Sequence, residues 1–167
     1  MPFGAHAAAG GGCRFRLWAP GAARVGLELH RASGREVVPM AAQEGGWHER
    51  VVADAPPGTA YRFVLDSGLA FPDPASRRNP AGPLGPSEVV DPGAYDWQDA
   101  SWGGRPWEEA VIYELHVGTF TPEGSFAAAR ARLAALAELG VTAIELMPVA
   151  EFAGARNWGY DGVLPFA

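Results

Sequence analysis

The sequence is short of the groups that announce most common chemistries. Cys13 is its only cysteine, so the chain can close no disulfide within itself and build no cysteine-based metal site. The four histidines, His6, His30, His48 and His116, lack metal-ligand spacing. No Gly-rich phosphate loop, Gly-x-Ser-x-Gly elbow or His-Glu-x-x-His pair is present. Basic residues do not cluster. Arg77-Arg78 is the only adjacent basic pair and the net charge is −6, which excludes the electrostatic footprint of a nucleic-acid binder. No apolar run approaches the roughly 20 residues that cross a bilayer. The opening MPFGAHAAAGGG has neither the basic region nor the long apolar stretch of a secretory signal. These absences predict a reducing, cytoplasmic setting, with no membrane or nucleic-acid partner, no metal and no cofactor.

What is present suits a globular chain: 48% of residues are hydrophobic and 19% charged. Its 167 residues can hold one ordinary domain, or a small domain and part of another. Glycine (22) and proline (15) stand between apolar runs as punctuation, which predicts many short elements. In residues 14–19, Phe15, Leu17 and Ala19 share one face while Arg14 and Arg16 take the other, the period of a strand. Residues 24–30, 36–40, 47–52 and 61–65 repeat the pattern, the last with Tyr61, Phe63 and Leu65 on one side. Short strands about 8–12 residues apart, with turn residues between, predict an antiparallel β-sandwich over residues 1–70.

From residue 71 the character changes. Pro72, Pro74, Pro80, Pro83, Pro86 and Pro92 forbid regular ladders, while Tyr95, Trp97 and Trp102 give the segment something to pack. Residues 71–110 are thus expected to form an ordered connector. Residues 110–120 (AVIYELHVGTF) are nearly apolar on both faces, as a strand buried in a parallel sheet must be. Ser125 can cap a helix whose stripe is Phe126, Ala129, Leu133, Leu136, Ala137 and Gly140, with Gly140 as its stop. A second apolar strand, 141–149, follows. Strand, helix and strand predict a βαβ unit with parallel strands within residues 111–167.

Functional residues of parallel α/β folds gather beyond the carboxyl ends of the strands. Trp158-Gly159-Tyr160-Asp161 lies there. Flat aromatic faces complement the C–H faces of a sugar, and the carboxylate of Asp161 can accept hydrogen bonds from hydroxyls. The other reading of these residues is that both rings simply pack a long loop. Glycoside hydrolysis needs two carboxyl groups flanking the bond, about 5–5.5 Å apart for retention. Glu123, Glu151 and Asp161 are available, but their spacing makes no pair, which predicts solvated loop acids. Glu114, His116 and Glu145 on the two apolar strands read as interior polar residues bonding neighbouring strands.

The same residues resemble a known family. Residues 111–120 (VIYELHVGTF) are similar to the first barrel strand of the α-amylase superfamily, 140–149 (GVTAIELMPV) to its second, and 157–162 (NWGYDG) to the loop that follows. Residues 15–20 (FRLWAP) and 58–63 (GTAYRF) resemble the sandwich that precedes the barrel in branching, debranching and trehalose-releasing members. Residues 71–77 (FPDPASR) and 85–92 (GPSEVVDP), with the MPFGA start, are most similar to the malto-oligosyltrehalose trehalohydrolase family. The resemblance implies an immunoglobulin-like β-sandwich followed by the first βαβ unit of a truncated (β/α)8 TIM barrel. It implies retaining hydrolysis of the α-1,4 bond beside the terminal trehalose of a malto-oligosyl trehalose or related α-1,4-glucan. An aspartate nucleophile, a glutamate acid/base and a second aspartate would lie on the fourth, fifth and seventh strands, so no catalytic residue is expected in this chain. By family position Tyr160 would stack on the sugar in the reacting subsite, with Trp158 and Asp161 shaping the same loop. A branching or debranching enzyme is the alternative activity. A non-catalytic glycan-binding sandwich, presenting Trp18 and Trp47, is the alternative of another kind.

Overall fold

The computed structural model describes residues 3–8 and 12–167, and it divides into two compact units. The first holds the described residues up to Tyr95 together with Ala150–Ala153 and Val163–Ala167. Strands β1 (Gly4–Ala7), β2 (Cys13–Trp18), β5 (Ala41–Gln43) and β6 (Trp47–Val52) form one antiparallel sheet in the order β1-β2-β6-β5. Strands β3 (Val25–Arg31), β4 (Gly34–Pro39), β7 (Ala60–Leu65) and β8 (Ala70–Phe71) form another in the order β4-β3-β7-β8, with β9 (Ser87–Glu88) also pairing β7.

The period of two commits one face of each sheet to the interior. Phe15 and Leu17 of β2 meet Val25, Leu27 and Leu29 of β3 and Tyr61 and Phe63 of β7 in one core. Phe15 packs edge-on against Tyr61 across the sheets, with ring centroids 4.8 Å apart and planes at 67°. Such aromatic pairs add about 0.5–1.5 kcal/mol beyond the area they bury. Ala19 packs against the same core, as its place in the pattern predicts.

The proline-rich residues after Phe71 are knit into this unit as far as Val89 by side chains that satisfy backbone. Asp73 is buried, accepting the Tyr61 hydroxyl at 2.7 Å and the Ala75 amide at 2.8 Å, while its own amide donates to Ser87 Oγ at 2.9 Å. Arg77 donates to the carbonyl of Ala5 at 2.8 Å. Val89 N donates to Thr59 O and Gly58 N to Val89 O, both at 2.9 Å. Proline removes donors from this stretch, and Asp73, Ser87 and Arg77 supply the bonds a ladder would have made. Further along the chain, Glu151 and Leu164 form an antiparallel bridge.

The second unit comprises Asp96–Val149 and Gly154–Gly162. Strands β10 (Ile112–Leu115) and β11 (Ala143–Leu146) pair in parallel, with Ile112 opposite Ala143 and Leu115 opposite Leu146. Between them lie α1 (Val117–Phe120), α2 (Phe126–Arg130) and α3 (Leu133–Glu138). The first apolar strand is therefore shorter than residues 110–120 suggest. Met147 N still donates to Leu115 O at 3.0 Å, and beyond it the chain turns as the Thr119 and Phe120 amides close on His116 O.

The expected helix over 126–140 is two helices. Arg132 N bonds Ala129 O, three residues back, tightening the turn between them. Its ends are as the sequence predicts. Ser125 Oγ accepts from Ala128 N at 3.2 Å, and Gly140 takes φ +99° while its amide reaches Ala137 O and that of Val141 reaches Leu136 O. The apolar stripe, by contrast, is mostly open: Ala129 is buried, whereas Phe126 and Leu133 are exposed, as are Ile112, Tyr113 and Leu146 of the strands. Among the described residues no helix is long and apolar enough to cross a membrane.

Candidate functional site

The loop that follows β11 is organised by one side chain. Asn157 Oδ1 accepts from the amides of Gly159 at 2.7 Å, Tyr160 at 3.1 Å and Asp161 at 3.2 Å. Short amide side chains favour such turns because they replace the backbone acceptor that a helix or sheet would provide. Gly159 sits at φ +102°, and a Cβ there would stand 3.0 Å from Pro148 Cδ and 3.2 Å from Pro148 N. Both the backbone conformation and the close approach thus require glycine.

This turn throws the neighbouring rings outward. Trp158 is 83% exposed and Tyr160 74%, and Asp161 is exposed beside them. Neither ring is buried by the described residues. The loop is further tied by His116, which follows β10: its Nε2 lies 2.6 Å from the carbonyl oxygen of Asn157. His116 therefore bonds the loop backbone, where the sequence pattern pointed to a neighbouring strand.

Three of the other acids are open to solvent and the fourth is half-buried. Glu114, Glu123 and Glu145 are exposed, and Glu151 belongs to the first unit, where its amide donates to Ala167 O at 2.8 Å. Among the described residues no group of three or more His, Cys, Asp or Glu could hold a metal ion. Asn157, which holds this loop, carries no role in the sequence reading, and His116 carries a different one. The Asn-x-Gly order of 157–159 was the available signal for the first.

The first unit carries a separate concavity of about 380 Å³, lined by Phe3, Arg16, Trp18, Trp47, Asp73 and Pro74. Trp18 and Trp47 are cross-strand partners of β2 and β6. Phe3 stacks on Trp47 with centroids 6.4 Å apart and planes at 15°, and Arg16 Cζ lies 4.4 Å from the Trp47 ring centre. Trp18 Nε1 donates to Gly45 O at 2.9 Å, which fixes the indole while leaving it 59% exposed.

Comparison with known proteins gives these features a setting. Residues 2–76 match the family model "Carbohydrate-binding module 48 (Isoamylase N-terminal domain)". A malto-oligosyltrehalose trehalohydrolase of Deinococcus radiodurans is 49% identical over 158 residues, 95% of this chain and 25% of that protein. A crystal structure from Salmonella typhimurium assigned as an alpha amylase superposes with a TM-score of 0.92 at 52% identity, covering 99% of this chain and 28% of the other. A glycogen debranching enzyme of Dickeya chrysanthemi is 34% identical, over 99% of this chain and 33% of its own length. The chain spans about a quarter of the length of the curated trehalohydrolases it matches. Residues 2–76 thus match the carbohydrate-binding module 48 family model, and the chain as a whole is similar to the N-terminal part of malto-oligosyltrehalose trehalohydrolases.

Proposed function

We propose that the chain is the N-terminal part of a retaining glycoside hydrolase that cleaves the α-1,4-glucosidic bond next to the terminal trehalose of malto-oligosyl trehalose, releasing trehalose. The observation that carries this reading is the 49% identity to a malto-oligosyltrehalose trehalohydrolase over 95% of the chain. In this reading residues 1–70 are the sandwich domain, 71–110 the connector and 111–167 the opening βαβ unit of a (β/α)8 barrel. The parallel pairing of β10 and β11 and their exposed apolar residues support that assignment, since further barrel strands would cover Ile112 and Leu146. The nucleophile, the acid/base and the stabilising aspartate would come from later strands. This chain contributes a wall of the reacting subsite: Tyr160 stacks on the sugar, while Trp158 and Asp161 shape the loop around it. A protein carrying this chain should release trehalose from malto-oligosyl trehalose. Formation or removal of α-1,6 branches instead would assign it to the branching or debranching enzymes, for which the 34% relative speaks.

A second reading concerns the sandwich. The Phe3, Trp18 and Trp47 concavity, in a segment matching a carbohydrate-binding module, suits α-glucan binding in its own right. Maltoheptaose titrated against residues 1–95 should shift the Trp18 indole resonance if this holds, and absence of any affinity would discard it.

A further inference from the structure

His116 reaches the aromatic loop from the carboxyl end of β10. Its Nε2 lies 2.6 Å from the Asn157 carbonyl oxygen, which can only accept, so Nε2 carries the hydrogen. Nδ1 is then the acceptor of the ring, and Thr119 Oγ1 stands 3.3 Å from it. Gly118 leaves the ring its space: a Cβ there would come within 3.0 Å of Cε1 and 3.4 Å of Nδ1. Thus two neighbours of His116 in sequence serve its orientation, one by a hydrogen bond and one by having no side chain.

Asn157 has two attachments with different consequences. Its side-chain oxygen gathers the amides of Gly159, Tyr160 and Asp161, which gives the loop its internal shape. Its main-chain carbonyl, held by His116, ties that shape to the end of the strand. We infer that His116 is a positioning residue, which by holding the Asn157 carbonyl sets the direction in which Trp158 and Tyr160 present their rings. Its importance for binding rests on the sugar-facing reading of the loop given above. Removing the imidazole leaves the Asn157 turn intact but frees it to move as a body.

The 167-residue chain with His116→Ala, His116→Gln and Gly118→Ala provides the test. Gln offers an amide donor near the place of Nε2, and Ala offers none. Trypsin cuts after Arg156, at the bond leading into Asn157, and cutting after Arg130 and Arg132 of the same unit gives an internal reference. The ratio of Arg156 cutting to the reference should rise about tenfold in His116→Ala, the worth of one hydrogen bond. It should return to within about twofold of the parent in His116→Gln, with a rise in Gly118→Ala, where the ring is present but displaced. Ring nitrogen shifts should report the Nε2–H tautomer. An unchanged ratio in His116→Ala, an Nδ1–H tautomer, or a Gln variant cut as fast as the Ala variant would overturn the inference. Maltoheptaose affinity is read separately. Weakening by about tenfold in the Ala variant, restored by Gln, supports both readings. A parent chain that binds no maltoheptaose counts against the sugar-facing reading, while the cutting ratio and the tautomer still decide the role of His116.

Discussion

Tyr61 and Asp73, twelve positions apart, share a 2.7 Å hydrogen bond inside the first unit, where the hydroxyl donates and the carboxyl accepts. Burial pushes the Asp73 carboxyl above its ordinary value, an effect the Tyr61 and Ala75 donors only offset in part. Burial likewise lifts the Tyr61 hydroxyl well above 10, with Asp73 adding to the shift. Tyr61→Phe should therefore cost about 1–3 kcal/mol in urea unfolding, because it strips a donor from a buried carboxyl. The carboxyl holds its proton to higher pH when folded than when unfolded. The stability it contributes is thus complete at acid pH and lost as pH rises through the native value. The advantage of the parent over Asp73→Asn should shrink as pH climbs from below 3.8 to neutrality. An advantage that grows with pH would contradict this.

Cys13 is 1% exposed and burial pushes its thiol up to about 11. The thiolate is the reactive form, so iodoacetamide at pH 8 should modify the native chain only as fast as the sandwich opens. Urea beyond the unfolding midpoint should speed alkylation about 100-fold or more. Equal rates in native and denatured protein would show that the thiol is accessible in the fold.

The sandwich was legible because alternation states which face is buried before any partner is known. Phe15 with Leu17, Leu27 with Leu29 and Tyr61 with Phe63 each declare it locally. What escaped depends on residues distant in sequence. The burial of Asp73 needs Tyr61 and Ser87, and the fixing of Arg77 needs the carbonyl of Ala5. The early end of β10 escaped as well, since it coincides with the turn in which the Thr119 and Phe120 amides close on His116 O. In the aromatic loop, the residue types at Trp158, Tyr160 and Asp161 suggested an exposed surface. Of the groups that hold it, Asn157 is hinted at by the Asn-x-Gly order, whereas the bond from His116 to the loop backbone is announced by no spacing.

The two-stranded pairing of β10 and β11 should be much less protected than the sandwich. Two strands alone are marginal in water, and Ile112, Tyr113 and Leu146 gain little from burial here. Amide exchange at Tyr113 and Met147 should exceed that at Leu27 and Phe63 by about 100-fold or more. Uniform slow exchange across both units would refute it.

Gly159→Ala should disturb the loop without touching the sandwich. At φ +102°, with Pro148 in the way, the substitution costs about 1–3 kcal/mol locally. The Tyr160 and Asp161 amide resonances should move toward unbonded positions as the Asn157 turn loosens, while those of the first unit stay fixed. Unmoved resonances would mean that the backbone absorbs the methyl group.

Pro148, two residues past β11, seats the tight backbone of Gly159, where a Cβ would stand 3.0 Å from Pro148 Cδ. The distance from sheet to aromatic rings is therefore metered by one rigid residue. Length changes between 149 and 156 should leave the rings registered to the strand as long as the close approach of Gly159 to Pro148 survives.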